Sequence, residues 1–110
     1  MIIDKDGNTT IITQEKSSVV ELVKKLSASY ETFKQNNIIV NLTSLDRVTL
    51  PEIVEFLQIS NAHRKSKHSF VIVTNKANLD EMPDEIIVVP TTQEAYDIIE
   101  MEEMERDLGL

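Results

Sequence analysis

Asn37-Ile38-Ile39-Val40-Asn41-Leu42, then Thr43-Ser44-Leu45-Asp46-Arg47-Val48, then Thr49-Leu50-Pro51-Glu52, is the stretch whose reading decides the fold. Its first part is short, β-branched and apolar at successive positions. A half-exposed strand alternates apolar and polar residues. A run without alternation, here Ile38–Leu42, is covered on both faces, as in the middle of a parallel sheet. The last part opens a helix. Thr49 and Glu52 have capping-box spacing, so the Thr hydroxyl accepts from the Glu52 N–H and the Glu carboxylate reaches back to the Thr49 N–H. Pro51 falls in the first turn, where its missing N–H costs little. In open α/β sheets, the turn from a strand into a helix N-terminus is where ligands and partners meet. Residues 43–50 are therefore the first candidate for a functional loop.

Outward from this stretch the same alternation continues. Toward the N-terminus, Met1–Asp4 and Thr9–Thr13 are β-prone runs on either side of Lys5-Asp6-Gly7-Asn8, and Asp-Gly is a hairpin signal. Ser17 or Ser18 can cap a helix in which Val19, Val20, Leu22, Val23, Leu26, Tyr30 and Phe33 follow helical spacing to about Gln35. Asn36-Asn37 ends it. On the other side, Leu50, Ile53, Val54, Leu57 and Asn61 predict the buried stripe of a helix running to about Lys65, with Phe56 and Ile59 widening it or facing a second neighbour. Ser69–Thr74 reads as another strand, residues 75–82 as a loop or short helix, and Ile86–Val89 as the last strand. Thr91 and Glu94 form a second capping pair. The final helix runs from about Thr92 to Asp107 with Ala95, Ile98 and Ile99 facing inward, and Gly109 closes it. The order β-β-α-β-α-β-(short α)-β-α is that of one α/β domain. Its sheet is mixed and mostly parallel, of about five strands with an N-terminal hairpin, accompanied by about four helices.

The totals limit the function. The 110 residues are enough for one domain with a real core. A formal net charge of -8 disfavours nucleic acid as a partner, since phosphate repels such a surface, and favours a basic protein surface. There is no Cys, hence no disulfide, thiolate nucleophile or Cys-ligated zinc. Met1–Asp4 lacks the basic region and apolar core of a signal peptide, and no apolar run approaches the ~20 residues of a membrane span. A cytoplasmic protein without membrane contact is expected.

With these residues in this order, the chain resembles the STAS domain, the fold of anti-sigma-factor antagonists and of the cytoplasmic tails of sulfate transporters. The resemblance covers nearly the whole length. In that family a strand ending in Asp-Leu-Ser leads through a short loop to Asp-Ser-x-Gly at a helix start. Here Asn41-Leu42-Thr43 stands at the first motif. The helix ends in a basic turn, here Arg64-Lys65-Ser66-Lys67-His68, and the last helix begins with a polar cap and a Glu-Ala pair, here Glu94-Ala95. The departure is at the second motif. Thr49 falls on the family's Asp, Leu50 on its phosphorylatable Ser, and Pro51-Glu52 replaces the following small residue and Gly. Leu50 has no hydroxyl, so the usual phospho-switch is absent there. Thr49 and Ser44 are the remaining candidate phosphosites, with a structural cap the simpler account of Thr49.

The resemblance implies a non-enzymatic regulatory domain that works by protein–protein contact, through Thr43, Ser44, Asp46, Arg47, Thr49, Leu50 and Glu52. The alternative is a small-ligand or nucleotide-binding module using the same loop and helix start. An enzyme is the third reading. Gly7 and Gly109 are the only glycines, so there is no Gly-rich phosphate loop, and no Gly-x-Ser-x-Gly elbow appears. No catalytic residue, cofactor or metal is expected. Two further groups stand out. His63, Arg64, Lys65, Lys67 and His68 form a basic knot whose simplest role is to meet the negative end of a helix dipole, and whose functional reading is a small anion or acidic-partner patch. The pair of histidines alone is a poor metal site. In the last helix Met101, Met104 and Leu108 recur at helical spacing among many carboxylates. Residues 100–110 are thus a candidate projecting, acidic docking helix for a protein partner or a second copy of the chain.

Overall fold

A computed structural model describes residues 1–16 and 18–109. The order is β1 (Ile2–Asp6), β2 (Thr9–Thr13), α1 (Val19–Ala28), α2 (Tyr30–Phe33), β3 (Asn37–Asn41), α3 (Leu50–Val54), α4 (Leu57–Lys65), β4 (Phe70–Val73), a 3₁₀ turn (Leu79–Glu81), β5 (Ile87–Val89) and α5 (Thr92–Asp107). The strands lie side by side in chain order, with β1–β2 antiparallel and every later pair parallel. β3 is the middle strand, as its unalternating sequence predicts.

Right-handed crossovers that always step in one direction leave their helices on one face of a sheet. The core follows that rule. On one face Ile38, Val40, Phe70 and Ile72 pack with Leu22, Leu26, Phe33, Ile53 and Phe56 from α1–α4 and the segments beside them. On the other face Ile39, Val71 and Val73 pack with Ala95 and Ile99 of α5. The Cα radius of gyration, 13.0 Å, is that of one compact domain of this length.

The local signals explain most boundaries. Gly7 has φ +58° and opens the two-residue turn Gly7-Asn8, so β1 continues through Lys5 and Asp6, which pair with Thr10 and Thr9. Ser18 caps α1 by accepting from the Glu21 N–H, 3.1 Å; Ser17 lies outside the described residues.

Three readings need correction. The helix expected from Val19 to Gln35 breaks at Ser29 into α1 and α2. The one expected to run to Lys65 breaks after Val54, at Glu55-Phe56. The buried stripe differs too. Ile53, Phe56, Ile59, Ser60 and His63 are the buried positions; Val54 and Asn61 are exposed, and Leu50 and Leu57 only half-buried. The buried positions share one helical face, rotated by roughly a quarter-turn from the expected one.

Candidate functional site

The candidate loop leaves the carboxyl end of β3 and is held by short-range bonds. The Asn41 side chain accepts from the Thr43 N–H, 3.0 Å, and from the Thr43 hydroxyl, 2.7 Å, an Asx turn that bends the chain as it leaves the sheet. The Leu45 N–H donates to the Leu42 carbonyl, 3.1 Å. Leu45 is half-buried and Val48 buried, so two apolar side chains pin the loop to the core. At its far end the capping box is complete. Glu52 Oε1 accepts from the Thr49 N–H at 2.9 Å and from its hydroxyl at 3.0 Å, while the Glu52 N–H reaches the Thr49 hydroxyl at 3.4 Å.

Pinned at both ends, the loop turns Thr43, Ser44, Asp46 and Arg47 outward, all four exposed. Thr49, Leu50 and Glu52 are half-buried at its edge. The Thr49 hydroxyl is engaged by a carboxylate, whereas Ser44 is exposed. A phosphate on Thr49 would face Glu52 and break the cap; one on Ser44 would not. α3 has only five residues, and the box engages the N–H groups of Thr49 and Glu52. A groove of about 420 Å³ runs between α1 and α4, lined by Val23, Tyr30, Glu55, Gln58 and Ile59 among others, with no residue of the loop.

No family model matches the chain and no curated protein matches it. No helix among the described residues is long and apolar enough to cross a membrane, and no group of three or more His, Cys, Asp or Glu comes together there to hold a metal.

The opposite, amino end of the parallel strands holds what sequence reasoning missed. His63 is not part of a surface knot: it is fully buried. Its Nε2–H donates to the Asn36 carbonyl, 2.7 Å, because a carbonyl can only accept. Nδ1 therefore accepts from the Tyr30 hydroxyl, 2.7 Å. Burial holds the imidazole's pKa below its usual 6.5, and the nearby His68 pushes the same way, against the bond to Asn36. His68 stacks on it with ring centroids 5.3 Å apart. The signal was the spacing of Phe56, Ile59 and His63 on one helical face.

Arg64, from the same knot, reaches across to α5. Its guanidinium forms a two-pronged pair with Glu102, 2.7 and 3.3 Å. Glu102 also accepts from the Ser69 hydroxyl, 2.7 Å. Burial alone would raise the Glu102 pKa; the hydrogen bonds from Arg64 and Ser69 and the charges of Arg64 and Arg106 outweigh it and leave it lowered. Arg106 donates to Ser69 Oγ, 3.2 Å, and Asn37 Oδ1, 3.4 Å. α5 is thus fastened to the sheet as far as Arg106. Met101, Met104 and Leu108 lie on its outer side, 48%, 57% and 75% exposed.

Proposed function

We propose that this chain is a non-enzymatic recognition domain, resembling the anti-sigma-factor antagonists, that binds a protein partner through the loop 43–50 and the start of α3. The observation that supports it is the form of the loop. A central, largely buried strand delivers the backbone to a turn held at both ends by hydrogen bonds, in which Thr43, Ser44, Asp46 and Arg47 face solvent while Val48 is buried and Leu45 half-buried against the core. Such a turn is already ordered, so binding costs little conformational entropy. Leu50, half-buried beside it, supplies apolar contact where the domains it resembles carry a phosphorylatable Ser. A regulatory phosphate, if the cell uses one, belongs on Ser44. The chain's charge of -8 suits a basic partner.

The test is a photo-crosslinking residue placed at Ser44, with Lys24 on the outside of α1 as the control position, in the cells the protein comes from. One partner of fixed stoichiometry should be captured from position 44 and not from 24. The double variant Asp46→Lys, Arg47→Glu, both exposed and free to change without unfolding, should lose it. Equal capture from both positions, or capture indifferent to the charge reversal, would refute the reading. Intact-mass measurement of the native protein checks Ser44 and Thr49 for added phosphate.

A further inference from the structure

α4 and α5 end side by side, and they end differently. In both, the residue after the C-cap is in the left-handed region: Lys67 at φ +68° after Ser66, and Gly109 at φ +76° after Leu108. At α4 the closure is a complete Schellman motif. The Lys67 N–H donates to the Arg64 carbonyl, 3.0 Å, and the His68 N–H to the His63 carbonyl, 3.3 Å. That position favours glycine, because an L side chain there crowds its own backbone. α5 has glycine; α4 has lysine, in strained backbone. Among the described residues the Lys67 ammonium makes no ion pair that would account for it.

Lys67 and Gly109 line the same cleft, of about 320 Å³, together with Arg64, His68 and Arg106. No carboxylate lines it among the described residues. Glu102 lies behind, holding Arg64 by two of its N–H groups and leaving the others free. Arg106 is held from behind in the same way, one nitrogen on Ser69 and Asn37. His68 donates from Nδ1 to the Ser66 carbonyl, 3.0 Å, which fixes its ring and leaves Nε2 open. Two pre-oriented arginines, a lysine and a histidine thus line one cleft in a chain whose net charge is -8.

We infer that this cleft binds a small phosphoryl-bearing anion. Arginine forks match the paired oxygens of a phosphoryl group, and their orientation is fixed before the ligand arrives. The cleft is at the small end for ligand sites, and no large apolar side chain lines it. It therefore recognises the phosphoryl group and not a base or chain attached to it. The site lies at the end of the sheet away from loop 43–50, and the inference does not depend on that loop's role.

The test is calorimetric titration of the full chain at low ionic strength with inorganic phosphate, glycerol phosphate and AMP, against chloride at matched ionic strength. Amide chemical-shift mapping locates the site. Saturable phosphate binding is expected, with shifts at residues 64–68 and 106–109, and glycerol phosphate and AMP within about tenfold of phosphate. Lys67→Gly, which relieves the backbone, should weaken phosphate binding at least about tenfold while the melting temperature holds or rises. Lys67→Asn, which also tolerates positive φ, is the second variant and should behave alike. Absence of saturable binding, or binding that neither variant weakens, overturns the inference. So does AMP binding far more tightly than phosphate, which would make the site one for nucleotides.

Discussion

The two ends of the parallel strands are held by different kinds of bond. At the carboxyl end, the side-chain hydrogen bonds of the loop join residues two or three positions apart: Asn41 with Thr43, and Thr49 with Glu52. At the amino end they join Tyr30 to His63, Arg64 to Glu102 and Arg106 to Asn37, residues 33, 38 and 69 positions apart. The first set shapes one turn. The second ties α2, α4, α5 and the starts of β3 and β4 to one another, and is made only when the whole domain closes. A change at the carboxyl end is felt locally, which suits a surface whose side chains are set by what they meet. A change at the amino end is felt by the fold.

The largest effect should come from His63→Ala. It opens a cavity and strands the Asn36 carbonyl and the Tyr30 hydroxyl in the core, and should cost about 3 kcal/mol in urea unfolding. A loss under ~1 kcal/mol would mean that the amino end is no tighter than the other.

Acid should separate the ends next. The folded His63 has a pKa below the unfolded value near 6.5, so the unfolded chain binds the extra proton first. His63's stabilising contribution is complete above about pH 6.5 and is lost as pH falls from there toward its folded pKa. Glu102 has a folded pKa below 4.5, so its contribution is complete above that value and is lost as pH falls through the folded pKa. Urea midpoints across pH should fall in these two steps, and His63→Gln should abolish the first. A wild-type midpoint that stays flat through the first step would show the imidazole to be solvated.

Thr49→Ala, at the carboxyl end, removes the cap and should cost about 1 kcal/mol. Amide shifts should change only around residues 43–53. Smallest, and opposite in sign, Lys67→Gly should stabilise by about 0.5–1 kcal/mol, the left-handed strain relieved less the added freedom of the unfolded chain. A destabilising Lys67→Gly would mean that the lysine side chain itself holds the turn.

The same contrast explains what could be read from the sequence. The place of β3, its covered faces, the Asp6-Gly7 hairpin and the Thr49–Glu52 and Thr91–Glu94 caps are carried by neighbours in the chain, and each appears in the structure. Those signals also gave the mixed sheet and the alternating order. The break at Glu55-Phe56 has no Gly or Pro to mark it, and the stripe through Leu50, Ile53, Val54, Leu57 and Asn61 took the edge of the helix next to the one that Ile53, Phe56, Ile59 and His63 bury. His63, grouped with the surface cations for its neighbours Arg64 and Lys65, belongs with Phe56 and Ile59. The pairing of Arg64 with Glu102 depends on α5 folding back across the sheet, which no local spacing encodes. Hence the basic residues were visible as a group, but not their division into a buried histidine, an anchored arginine and an exposed lysine.

Hydrogen–deuterium exchange of the full chain, alone and in complex with the partner captured through position 44, is the most direct test of how this domain meets other molecules. Slowed exchange confined to residues 43–50 and the first turn of α3, with α5 and the 64–68 turn unchanged, is the expected result. Slowed exchange elsewhere, with 43–50 exchanging as in the free chain, would contradict it.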